Sequence, residues 1–176
     1  FGIDANLVKT KKFKTDKFED SIMCLGKGQI LGFIDKQLVT SHTEWINCWK
    51  VFTPRANNIG TELNDDNLNS IVGKPNTVCT ESYIMIGAGL DLNLNSSNNL
   101  SKYTKTKYFR FMHSLAKASQ DATAKTYRFV PLQDFTPNSD IDWSKTIPEI
   151  DKQLYAKYGL TDDEIAFIEE KIKPME

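Results

Sequence analysis

The sequence predicts an α+β fold: a mixed, mainly antiparallel β body with one long helix, followed by a C-terminal helical hairpin. Three observations predict it. β-rich runs flank Gly26-Lys27-Gly28, apolar residues recur at helical spacing from Asn98 to Ala118, and capping boxes open at Thr146 and Thr161. A chain of 176 residues is long enough for one domain with a real core.

In chain order, residues 9–17, KTKKFKTDK, hold five lysines and read as an exposed basic loop or strand end. SIMCL and QILGFI then form two strands. The glycines between them match neither a dinucleotide fingerprint nor a phosphate loop. The spacing Gly26-x-Gly28-x-x-x-Gly32 is one residue too long, no GK[ST] occurs, and a strand follows where a helix is needed. Gly26-Lys27-Gly28 is therefore predicted to be a hairpin tip. Glu44 to Ile46 predicts a short helix, and Trp49 to Phe52 a strand that Pro54 stops. The Asn-rich stretch 55–70 predicts a long loop, and Thr77–Ile86 one alternating strand.

Beyond these, Leu100, Thr104, Tyr108, Phe111 and Leu115 mark the buried stripe of a helix over 98–118. Lys102, Lys105, Lys107, Arg110 and Lys117 then fall on its solvated face. TYRFVPL (126–132) reads as a further β run ended by Pro131. Thr146-Ile147-Pro148-Glu149 opens a helix that stops at Gly159, and Thr161-Asp162-Asp163-Glu164 opens a second one that Pro174 ends. The expected organisation is a recognition body over 1–135 with the helical hairpin 136–176 packed on it.

The net charge of −1 divides unevenly, about +5 over residues 1–130 and −6 over 131–176. A basic body with an acidic tail suits an anionic partner on the body alone. Cys24, Cys48 and Cys79 lack metal-ligand or disulfide spacing, which predicts reduced thiols in a cytoplasm. No apolar run is long enough to span a membrane. His42 and His113 have no ligand-spaced neighbours and no GxSxG elbow to serve. The only ExK tripeptide, Glu169-Glu170-Lys171, lies inside the last capped helix rather than on a sheet edge. No metal and no enzymatic activity are expected of this chain.

What remains is donor chemistry suited to DNA. Lysine and arginine take phosphate, while Arg, Asn and Gln can read base edges. The candidate contacts are Lys9, Lys11, Lys12, Lys14, Lys27, Arg55, Asn57, Asn58, Gln120, Lys125 and Arg128. Taken singly, most of these are ordinary surface residues.

The stretches WINCWKVFTPRA (45–56), IVGKPNTVCTESYIMIG (71–87), SQDATAKTYRFVPLQDF (119–135) and the tail 135–176 carry a resemblance. Together they resemble the C-terminal part of bacterial adenine-specific DNA methyltransferases of restriction–modification systems, type IIG-like enzymes included. In that family a catalytic domain binds S-adenosylmethionine and holds the target adenine with an Asn/Asp-Pro-Pro-aromatic motif. Neither that motif nor a cofactor-binding one occurs here, and FGIDANL reads as a cut inside a longer protein. The resemblance implies a target recognition domain that chooses the DNA sequence, holds no cofactor of its own and partners the parent's methyltransferase domain. Lys50 to Ala56, Thr80 to Tyr83 and Gln120 to Thr123 match the family as structural anchors. The alternative expectation is a protein-interaction module, the acidic hairpin docking a catalytic or translocating subunit.

Overall fold

A computed structural model of the chain describes residues 1–59, 68–173 and 175. Among the described residues, two three-stranded sheets and four α-helices make an α+β fold. Strands β1 (Ser21–Gly26) and β2 (Ile30–Asp35) form the expected antiparallel hairpin, with Gly26 opposite Ile30 and Ser21 opposite Asp35. Gly28 takes φ +75° at the tip, a conformation that glycine adopts without strain. Gly26 is needed for a different reason: a Cβ there would sit 2.1 Å from Val8, whose 3₁₀ turn, Ala5–Lys9, packs over the hairpin.

The second sheet is β4 (Ile71–Gly73), β3 (Lys50–Pro54) and β6 (Tyr83–Ile86), antiparallel throughout. β5 (Thr77–Cys79) belongs to the first sheet, parallel to β1. The single strand expected over Thr77–Ile86 is thus two strands in different sheets. The chain turns between them, with Tyr83 N–H donating to the Thr80 carbonyl, Thr80 N–H to Leu25 and Glu81 N–H to Ile3. Alternation along the sequence cannot register this crossing, because both halves are β-rich.

The long helix also divides. α1 (Leu94–Lys105) and α2 (Lys107–Ser114) meet at Thr106, which has φ −66° and ψ 149°. Its hydroxyl donates to the Tyr103 carbonyl and accepts from Phe109 N–H, ending one helix and capping the next. Nor is the cationic face solvated. Arg110 is 1% exposed and donates to the Thr106 and Lys173 carbonyls. Lys102 reaches the Trp143 carbonyl at 2.7 Å, and Lys107 pairs with Glu169. Leu115, expected inside, is 53% exposed. TYRFVPL is not a strand either: Thr123 and Thr126 form a capping box over the 3₁₀ turn Ala124–Tyr127.

The helical hairpin forms as predicted, α3 (Ile147–Lys157) and α4 (Asp162–Lys171), each with its capping box. Pro174 lies outside the described residues. α3 packs on α1 and α2, and α4 on α2. The largest core joins Val51 of the second sheet, Leu100, Tyr103, Tyr108 and Phe109 of the helices, and Ile150, Leu154 and Ile168 of the hairpin. A second core lies under the first sheet around Cys24, Ile34 and Val78.

His113 is the outlier in the larger core region. It is fully buried against Tyr127, ring centroids 4.3 Å apart. Among the described residues no partner meets good hydrogen-bond geometry at either ring nitrogen, although the Thr126 backbone still acts on the ring. Burial, reinforced by the Lys117 cation and partly offset by the Thr126 backbone, pulls its pKa from 6.5 to about 4. Between those values the unfolded chain takes up a proton that the folded chain refuses. This residue's contribution therefore destabilises the fold as pH falls from 6.5 to 4, by on the order of 3 kcal/mol. His113→Phe should flatten that dependence in urea unfolding curves taken between pH 7 and 4.5; an unchanged pH slope would refute it.

Candidate nucleic-acid interface

The crossing between the sheets creates a recess. Tyr83, first residue of β6, is buried, and its hydroxyl accepts from Gln29 N–H at 3.0 Å, tying the hairpin tip to the second sheet. Burial raises the Tyr83 pKa, so the hydroxyl stays neutral. Arg55 follows β3 directly and donates its backbone N–H to Ser82. A depression of about 490 Å³ results, lined by Ala5, Lys27, Gln29, Arg55, Asn69 and Glu81 among others. A second hollow of about 370 Å³ shares Arg55, Glu81 and Tyr83 and extends to His42 and Trp45. His42 and Trp45 stack in parallel at 4.5 Å, and His42 Nδ1 lies 3.5 Å from Glu44. The two hollows are neighbours, both open to solvent, and Arg55, Glu81 and Tyr83 line each of them; together they form the candidate recognition groove.

Of the predicted contacts, Lys27 and Arg55 meet in this groove. Arg55 is held from behind by Asp121 at 3.7 Å, both side chains about half exposed. Such a surface pair adds little stability but aims the guanidinium. The segment 120–122 lies alongside 55–57, with Ala122 N–H donating to Arg55 and Asn57 N–H to Gln120. Gln120 and Lys125 are exposed on this flank. Arg128 is exposed and stacks over Phe129 at 4.6 Å. Lys9, Lys11, Lys12 and Lys14 are exposed but line neither hollow; Lys14 pairs through its backbone with Phe33 of β2. Asn58 is half-buried.

Asn57 corrects the expectation. It is 1% exposed, its amide donates to the Pro54 carbonyl, and its side-chain oxygen accepts from Ile59 N–H and from Lys117. An asparagine whose donors and acceptor are spent inside the loop cannot read a base edge. Sequence reasoning missed Gln29, Asn69, Asp121 and the His42–Trp45 stack. Asp121 had a signal, standing beside the chosen Gln120; the stack had none, because it depends on His42 adopting φ +56°.

The hollows are lined by cations, amides and an aromatic ledge, together with the Glu81 and Asp121 carboxylates. The Cys24 and Cys79 thiols are buried, and burial pushes both up to about 12, away from nucleophilic character. Among the described residues no three His, Cys, Asp or Glu side chains gather to hold a metal ion. Among the described residues no helix is long and apolar enough to cross a membrane. Compared with protein-family models, curated proteins and solved structures, the chain gives no match.

Proposed function

We propose that this chain is the target recognition domain of a cytoplasmic restriction–modification adenine methyltransferase, binding double-stranded DNA and choosing the site to be modified. The observation that carries the reading is the groove between the sheets. There Lys27 and Gln29 of the hairpin tip, Arg55 after β3 and Asn69 before β4, contributed by three separate segments, converge on one exposed recess. Arginine and amide side chains supply the bidentate donor patterns that discriminate bases, and the exposed lysines supply phosphate affinity. The domain contributes no chemistry of its own in this reading; S-adenosylmethionine and the reacting groups belong to the parent's catalytic domain.

The test is a salt titration of binding to a fluorescent mixed-sequence duplex. Affinity should fall steeply with salt, and Lys27→Glu with Arg55→Glu should weaken it at least about tenfold and flatten the log–log slope by roughly one to two. Lys152→Glu, on the exposed side of α3, should leave both quantities near wild type. Salt-independent binding, or equal effects of all these charge reversals, would contradict the proposal.

A further inference from the structure

The face of the molecule formed by α2 and α4 carries an apolar groove of about 460 Å³, lined by Tyr108, Phe111, Met112, Leu160, Phe167 and Ile168. Phe167 is 56% exposed, although it stands edge-on to Phe111 at 5.9 Å. α4 already buries Ile168 in the core, with Ile165 packed against it, so Phe167 is surplus to the hairpin's own packing. An exposed aromatic over an apolar trough is the arrangement by which helices are received side-on.

Charge narrows the occupant. Asp163 and Glu164 form one lip of the groove, and Asp162 precedes them in the first turn of α4. Among the described residues no Lys or Arg lines the groove. A second copy docking symmetrically through this face would bring acidic lip against acidic lip, which like-charge repulsion opposes. A partner with an apolar stripe flanked by lysine or arginine would bury Phe167 and meet the carboxylates together.

We propose that the α2–α4 groove is a docking site for a basic amphipathic helix of a partner protein, with Phe167 as the apolar anchor and Asp163 as the charge selector. The inference does not depend on the DNA reading, which concerns another set of residues. Glu164 is excluded as the selector, because its carboxylate accepts from Thr161 N–H and hydroxyl in the capping box.

The test uses the full chain and two synthetic helical peptides with the same leucine stripe, one flanked by lysines and one by glutamates. Fluorescence anisotropy should show the lysine peptide binding at least about tenfold more tightly than the glutamate peptide. Phe167→Asp should abolish that binding, and Asp163→Lys should reverse the preference. Neither position is buried, so both variants should keep the wild-type unfolding midpoint within a few degrees. Equal affinity for the two peptides, binding by neither, or indifference to Phe167→Asp would overturn the proposal. Sedimentation showing a wild-type dimer that Phe167→Asp dissociates would also overturn it, by making the occupant a second copy.

Discussion

Replacing Asp151 with alanine should destabilise the protein by about 4 kcal/mol and lower its melting temperature by roughly 10 °C. Asp151 lies on α3 but serves α2: its two carboxylate oxygens accept from Lys107 N–H and Tyr108 N–H, each at 2.9 Å. These are two of the donors left over at a helix start, and Thr106 satisfies only the next one. Alanine would leave both without the carboxylate and remove the anion from beside the buried Arg110. An unpaired buried donor costs about 1–3 kcal/mol, and breaking a buried charge arrangement about 3–5.

The same residue has a pH signature opposite to that of His113. Burial raises the Asp151 pKa from 3.8 to about 6, although the two N–H donors pull it down in part. The folded carboxyl therefore holds a proton more tightly than the unfolded one. Its contribution is greatest below pH 3.8 and is lost as pH rises through 6. Between pH 4 and 6 the two residues oppose each other. Asp151→Asn, which cannot titrate, should therefore expose the acid sensitivity of His113. Urea unfolding at pH 4.5, 5.5 and 7 measures this, and a variant whose stability falls no faster toward acid than wild type would refute the assignment.

Lys50→Met should cost a similar amount, about 3–5 kcal/mol, and act on the other half of the molecule. Lys50 is fully buried at the start of β3, and its ammonium donates to the Trp45, Ile46 and Cys48 carbonyls at 2.9, 2.8 and 2.9 Å. Burial lowers its pKa to about 8, which leaves it charged at neutral pH. Three hydrogen bonds from one charge hold residues 45–48 as a tight turn. Methionine fills similar space but donates nothing, so the Trp45 and Cys48 carbonyls lose this donor. Since Trp45 floors one end of the groove, hydrogen exchange of residues 42–49 should rise with the loss of stability. A variant that melts within a degree or two of wild type would show that the ammonium is dispensable.

These residues also show where the sequence was readable. Turn and capping chemistry is local, so the hairpin at Gly26–Gly28 and both boxes of the C-terminal hairpin were legible from a few residues each. The break at Thr106 is equally local, but a single hydroxyl marks it while an apolar stripe runs through it unbroken. The crossing at Thr80–Ser82 was not legible, because its partners are Leu25 and Ile3, far away in the chain. Burial of Arg110 was hidden for the same reason, because one of its carbonyl partners is on Lys173. Lys50 and Asn57 bond carbonyls only a few residues away, but nothing in the sequence shows that those turns fold back to present them. Lys27 and Arg55 could be chosen by charge and loop position. Their meeting in one groove follows from the Tyr83–Gln29 bond, which no spacing encodes.

The most direct test of the central claim is selection of the chain's preferred sites from a random-sequence duplex pool, read by sequencing the bound fraction. A recognition domain should enrich a short motif, and Arg55→Ala should lose preference at one or two positions of it while Lys9→Ala leaves the motif intact. Bound and unbound pools of identical sequence content would contradict the account.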